Sequence, residues 1–258
     1  MSEGRVTCQQ NGDVARVTFD RPEARNALTW TMYQQLSDVL DEIESAAALR
    51  VAVFRGAGQR AFVAGTDIRQ FTRFQSVEDG LAYERFIDRL MARVEALPVA
   101  TIAVVEGYAV GGGLALAAAC DLRICTPDAM FGVPIARTLG NCLSMRNYAR
   151  LVALLGPGRA SRMILTAELL NANEARHAGF VLEIVTPEQL EDSIKALGAA
   201  LIRSAPITLR VSREMIQRIT ARGIPDGDDL LRQTYGSEDF REGVAAFVAR
   251  RQPVWKGM

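Results

Sequence analysis

Two segments place glycine where a strand would give way to a helix, and any chemistry in this chain is sought there first. QRAFVAGTDIR, residues 59–69, follows an apolar strand candidate at 51–54, and VVEGYAVGGGLAL, residues 104–116, follows a second that begins near residue 100. Glycine permits unusual backbone dihedrals and lets a ligand approach the chain closely. The first N–H groups of a helix lack internal acceptors and carry the positive end of its dipole. Two such donors suit a carbonyl oxygen that gains negative charge, and losing one costs a rate factor of about 10² to 10³. The alternative is that Gly111, Gly112 and Gly113 serve only close helix–sheet packing. The spacing is not G-x-G-x-x-G and no G-K-[ST] occurs, so a nucleotide-phosphate loop is not indicated.

Other chemistry has few residues to draw on. The one histidine, His177, lies in the alanine-rich stretch NANEARHAGF, where a solvated helical position is expected. An imidazole metal site and a Ser–His–Asp triad are thereby excluded, and no metal is expected. Cys8, Cys120, Cys125 and Cys142 lack C-x-x-C spacing and read as small core residues. Lys+Arg and Asp+Glu both number 30, so no net field draws the chain to nucleic acid or an anionic membrane. The N-terminus has no signal-like apolar run, and the longest apolar stretch, 109–119, is too short and glycine-rich to span a bilayer. A soluble, cytoplasmic protein is expected.

These segments need elements to position them. With 49% hydrophobic residues among 258, the chain can bury a large core. Asn11-Gly12 signals a hairpin between strands at 5–7 and 14–19. Met32, Leu36, Leu40 and Ile43 carry helical spacing through residues 29–47. Short apolar strands follow at 51–54, 100–105 and 122–125, separated by helical patterns that include one over 68–95. On that helix Tyr83, Glu84 and Asp88 face either the substrate or water, with the solvated face the default for both acids. Such alternation predicts an α/β fold with mainly parallel pairing. Beyond residue 134 helices dominate, at 148–155, 160–165, 187–203, 207–220 and 239–251, with one strand at 181–185. We divide the chain into an α/β core, 1–200, and a C-terminal helical region, 201–258.

RPEARNAL, AFVAGTDIRQF, IAVVEGYAVGGGLALAAACDLRI and SEDFREGVAAFVARR, in that order, resemble the successive blocks of the crotonase superfamily, the enoyl-CoA hydratase/isomerase family. The resemblance covers nearly the whole chain. It implies a core of repeated ββα turns, a C-terminal helical trimerisation region and a homo-oligomer, either a trimer or a dimer of trimers. It also implies acyl-CoA substrates, with coenzyme A present as part of the substrate and no permanently bound cofactor. The thioester oxygen would sit between the backbone N–H groups of Thr66 and Gly112. Ala24 and Arg25 would flank the adenine–ribose end, while Ala64, Asp67 and Ile68 would line the adenine loop. Phe247 and Arg250 match positions that reach the nucleotide from a neighbouring subunit.

The pattern breaks at the proton-transfer groups. The family's hydratases use two glutamates, and at those positions this chain has Ala115 and, in FGVPI, Ile135. Neither can exchange a proton. In RTLGNCLSM, residues 137–145, Arg137 and Asn141 are the leading candidates for a replacing polar group, with Cys142 and Ser144 behind them; capping or packing is the alternative for each. Tyr108 is expected to be a wall beside the oxyanion turn. General acid–base groups contribute about 10² to 10⁴-fold, so hydration by the standard route is not expected. The reading is an acyl-CoA enzyme with altered chemistry, and its alternative is a non-catalytic acyl-CoA-binding homologue. RNA binding is not expected: the early helix carries Asp38, Asp41, Glu42 and Glu44 without a lysine.

Overall fold

The computed structural model describes residues 2–220, 223 and 228–256. Strands β1 (Arg5–Asn11) and β2 (Val14–Asp20) form the expected hairpin, and α1 (Trp30–Ser45) follows. Three strand pairs come next, each leading to a helix. They are β3 (Val51–Gly56) and β4 (Ala61–Val63) with α2 (Val77–Ala96), then β5 (Ala100–Val105) and β6 (Tyr108–Val110) with α3 (Gly112–Ala119). The third is β7 (Leu122–Cys125) and β8 (Met130–Gly132) with α4 (Ile135–Thr138). The order continues α5 (Met145–Leu155), α6 (Pro157–Leu165), β9 (Leu170–Asn171), α7 (Ala172–His177) and β10 (Glu183–Ile184). Helices α8 (Leu190–Arg203), α9 (Pro206–Thr220), α10 (Asp228–Tyr235) and α11 (Glu238–Val248) complete it.

The first strand of each pair joins a six-stranded sheet, ordered β1-β2-β3-β5-β7-β10, and the second joins a four-stranded sheet, β4-β6-β8-β9. All neighbours from β2 to β10 run parallel, as the strand–helix alternation predicts. This is the repeated ββα core. Side chains alternate across the large sheet. Ala52 and Phe54 join the main core, whereas Val51 and Val53 pack with Ile102, Val104 and Ile124 under Leu190 and Ile194 of α8. Buried on both faces, β5 reads as the continuous apolar run typical of a parallel strand.

The short strands β4, β6, β8 and β9 and the short helix α4 are absent from the residue-by-residue reading, and three longer helical features depart from it as well. The helix expected over 68–95 is broken: a 3-10 helix spans Ile68–Arg73, and α2 starts anew after Ser76. The reason is a capping box, in which the Ser76 hydroxyl and the Asp79 carboxylate satisfy each other's backbone N–H groups. Helix α11 ends at Val248 rather than 251, with Arg250 at φ 54° beyond it. Helix α10 was not anticipated, and it matters because it brings Leu231 and Tyr235 into the main core.

The C-terminal region therefore divides in two. No residue of α9 is buried, and Ile207, Met215, Ile216 and Ile219 are exposed on it. Helices α10 and α11 instead fold back, burying Tyr235, Phe240 and Val244 against the core that holds the site. Gly80 of α2 makes that approach possible: a Cβ there would lie 2.2 Å from the Tyr235 ring. No helix of the described residues is long and apolar enough to cross a membrane.

Candidate functional site

The loop before α1 is fixed by two buried polar residues that the sequence reading did not single out. Asn26 accepts from the Arg21 N–H at 2.9 Å and donates to the carbonyls of Ala57 and Ala61 at 2.9 and 2.8 Å. It thereby ties residues 21–26 to the β3–β4 connection. Arg21, 2% exposed, donates to the Ala27 carbonyl at 3.0 Å and to Asp67 Oδ2 at 2.9 Å. The signal lay in RPEARNAL itself, whose buried donors and acceptors must all find partners.

This loop clamps the first glycine turn. Leu28 N–H donates to the Gly65 carbonyl at 2.8 Å, and Asp67 N–H donates to the Leu28 carbonyl at 2.9 Å. The intervening Thr66 N–H has no acceptor among the described residues, nor does the Gly112 N–H in the first turn of α3. Gly65 takes φ 88° and Gly111 φ 56°, conformations that favour glycine. The two turns abut: a Cβ on Gly65 would lie 3.8 Å from the Gly112 nitrogen, and one on Gly112 would lie 3.6 Å from Thr66 Oγ1.

Gly65, Thr66, Gly111 and Gly112 line one cavity, walled by Ile68, Phe71, Ile87, Leu139 and Leu143. Ala115 and Ile135, the two positions assigned to the missing glutamates, line it as well. The Thr66 hydroxyl is bonded to Tyr33 Oη at 2.6 Å and Tyr83 Oη at 2.7 Å. Burial pushes the Tyr33 phenol up to about 12 and raises Tyr83 too, so both stay neutral and hold Thr66 between α1 and α2.

Glu84 is the main correction to the sequence reading. It is 2% exposed and lines the cavity rather than meeting water. Its Oε1 accepts from the Tyr235 hydroxyl at 2.6 Å and its Oε2 from the Ser144 N–H at 2.9 Å. Burial pushes its carboxyl up to about 8, against the opposing pull of these hydrogen bonds. Asp88 is partly buried and accepts from the Ser144 hydroxyl at 2.5 Å. Asn141 also lines the cavity; its Nδ2 donates to Tyr235 Oη at 3.3 Å, while its Oδ1 is buried and has no partner among the described residues.

The remaining expected residues are distributed as follows. Arg137 is exposed, donates to the Ala167 carbonyl at 3.1 Å and is not among the residues lining the cavity, because its short helix turns it outward. Tyr108 is no wall: it is 36% exposed, with the Arg25 guanidinium 5.2 Å over its ring. Ala24, Arg25, Ala64, Asp67 and Ile68 are brought together, with the Arg25 carbonyl accepting from the Ala64 N–H at 3.0 Å. Phe247 and Arg250 are exposed at the end of α11. His177 is exposed.

Asp67 carries a structural load as well. Hydrogen bonds from Arg69 and Arg21 outweigh its burial and hold its carboxyl down to about 2, from 3.8. A depressed carboxyl contributes stability that is fully present above its unfolded value and lost as pH falls through its folded value, here about 2 kcal/mol. The stability gap between the native chain and Asp67→Asn is expected to be largest above pH 4 and to close toward pH 2 in urea titrations. A gap independent of pH would contradict this.

Residues 9–258 match the family model described as Enoyl-CoA hydratase/isomerase. The short-chain-enoyl-CoA hydratase of Clostridium acetobutylicum is 31% identical over 256 residues, which cover 98% of this chain and 97% of the relative. Among solved structures, an enoyl-CoA hydratase/carnithine racemase from Magnetospirillum magneticum aligns at TM-score 0.80 and 29% identity, covering 100% of this chain and 97% of that one. A methylmalonyl CoA decarboxylase complexed with 2S-carboxypropyl CoA aligns at TM-score 0.89 and 25% identity, covering 100% of both chains.

Proposed function

This chain belongs to the enoyl-CoA hydratase/isomerase family, and from that premise we propose that it binds an acyl-CoA thioester and stabilises its carbonyl as an enolate-like oxyanion between the N–H groups of Thr66 and Gly112. The observation that carries the proposal is the pair of abutting glycine turns, each with an amide unpaired among the described residues, lining a single cavity. Preorganised donors of this kind act where charge develops and need no reorganisation during the reaction. Hydration by two carboxylates is not part of the proposal, since Ala115 and Ile135 offer no proton.

The coenzyme lies along Ala24, Arg25, Ala64, Asp67 and Ile68 in this reading, and Arg25 is free to meet a phosphate with its planar fork. Asp67 takes part through its backbone, because its carboxylate is committed to Arg21 and Arg69. Phe247 and Arg250 serve a neighbouring copy. The exposed apolar residues of α9 support assembly into a trimer or a dimer of trimers. Coenzyme A enters only with the substrate, no further cofactor or metal is used, and the protein works in the cytoplasm.

Thermal melts with a panel of enoyl-, malonyl- and 3-hydroxyacyl-CoA esters, paired with turnover on the same panel, test the proposal. Stabilisation rises by mass action with ligand that binds only the native state, by about 2.7 kcal/mol at 100 times Kd. Stabilisation with turnover is the expected result. Stabilisation without turnover would favour a non-catalytic acyl-CoA-binding protein, the reading that the apolar Ala115 and Ile135 positions would then support. No stabilisation by any ester would end the thioester proposal.

A further inference from the structure

Resting on the acyl-CoA reading above, we infer that Glu84 is the proton-transferring group of this cavity, acting as a single carboxyl that removes and returns one proton of the acyl chain. Three observations carry it. Among the described residues that line the cavity Glu84 is the only carboxyl, and the lining positions Ala115 and Ile135 are apolar. Its oxygens are held by groups from elsewhere in the chain, the Ser144 N–H and the Tyr235 hydroxyl, the latter admitted by the missing side chain at Gly80 one turn earlier on the same helix face. Beyond Tyr235 stands Asn141, with a buried carbonyl oxygen that has no partner among the described residues.

That orphan oxygen has a use if Glu84 changes protonation state. With Glu84 ionised, Asn141 Nδ2 donates to Tyr235 Oη and the Tyr235 hydroxyl donates to Glu84. With Glu84 protonated, its new O–H needs an acceptor. Tyr235 Oη becomes that acceptor when its own O–H turns to Asn141, whose amide rotates to present Oδ1. Reversing one short chain of hydrogen bonds thus keeps Glu84 and Tyr235 paired in either state, with one end of the Asn141 amide unpaired in each, whereas a purely structural tether needs only the first direction.

The chemistry balances without water or a further cofactor. The Glu84 carboxylate takes a proton from the α-carbon; the C–H pair forms the enolate double bond, and the carbonyl pair moves to the oxygen facing Thr66 and Gly112. Return of the proton to the γ-carbon of a β,γ-enoyl thioester re-forms the carbonyl, shifts the double bond to the α,β position and leaves Glu84 ionised. A one-carboxyl double-bond shift is therefore the reaction class that fits.

The titratable groups facing Glu84 are Tyr33 from α1, Tyr83 and Asp88 on its own helix, Cys142 and Tyr148 from the segment around α5, and Tyr235 from α10. All but Asp88 are thiols or phenols whose pKa is raised by burial, so they stay neutral. Proton removal requires the carboxylate, so the rate rises with pH through an inflection near 8.

The probe is 3-butenoyl-CoA, followed to crotonyl-CoA by absorbance across pH 6–9, with binding read separately by thermal melts. The native chain is expected to convert it with that inflection, and Glu84→Gln to lose about 10²-fold in kcat, and the inflection with it, while still being stabilised by the ester. Tyr235→Phe guards against a folding failure of the first variant: loss of its hydrogen bond to the carboxylate should move the inflection to higher pH. An ester-stabilised native chain that leaves the probe unchanged, a Glu84→Gln chain with native rate and pH profile, or a Tyr235→Phe inflection that does not move would each overturn the inference. Absence of stabilisation by this ester alone would overturn the inference, and absence of stabilisation by every ester of the panel would overturn the thioester reading beneath it.

Discussion

Gly112→Pro is expected to lower turnover about 10² to 10³-fold on whichever CoA ester proves the best substrate, while the fold survives. Proline removes the Gly112 N–H and nothing else from the hydrogen-bonding inventory. Position 112 opens α3, and the first helical position is where proline is tolerated, because its missing donor has no internal acceptor to lose. The preceding residue, Gly111, at φ 56° and ψ −120°, has no Cβ to clash with the proline ring. A Cβ at 112 would meet the Tyr33 hydroxyl at 3.2 Å, which must give by a few tenths of an ångström, then Thr66 Oγ1 at 3.6 Å and Gly65 Cα at 3.9 Å. Gly112→Ala adds the same Cβ but keeps the N–H, so comparison of the two separates the effect of the Cβ from that of replacing the N–H by the ring Cδ. Equal rates in the two variants would remove this amide from the mechanism.

The third glycine has a different duty, and its substitution is expected to cost stability first. A Cβ on Gly113 would lie 1.9 Å from the Val63 carbonyl oxygen and 2.7 Å from its carbon. Both are backbone atoms of β4, so relief requires α3 to move off the small sheet. Alanine gains about 1 kcal/mol of helix propensity over glycine, and the displacement costs more, so we expect a net loss of about 3 kcal/mol. For a chain of this size that corresponds to a fall of about 6 to 12 °C in Tm. Turnover should fall too, because the shift carries the Gly112 amide with it. A Tm within about 2 °C of the native value would show that α3 is not pressed on β4. The triple glycine thus serves three purposes: a left-handed turn at 111, an open amide at 112 and close packing at 113.

Much of the architecture was legible because it follows from periodicity. The helix carrying Met32, Leu36, Leu40 and Ile43 is legible in side-chain spacing, the hairpin in its Asn11-Gly12 turn and the strands of the large sheet in short apolar runs. Boundaries failed where a local hydrogen bond decided them, as at Ser76, whose capping box begins a new helix in the middle of an apparently continuous one. Helix α10 failed for another reason: its packing partner, Gly80, lies far away along the chain, and nothing local marks Tyr235 as buried.

The candidate site divides along the same line. The main-chain part of the proposed site is legible in the sequence itself, since glycine at 65 and 111 favours the positive-φ turns that precede the Thr66 and Gly112 amides, and the resemblance carried by those blocks leads to the same two residues. Side-chain chemistry was decided by tertiary structure. Glu84 and Asp88 sit on one helix with the same local sequence character, yet Glu84 is sealed under Tyr235, 151 residues distant, while Asp88 remains partly exposed. The protonation of a carboxyl depends on how much water reaches it and which donors meet it. Those are properties of how distant segments pack, and spacing along the chain does not encode them.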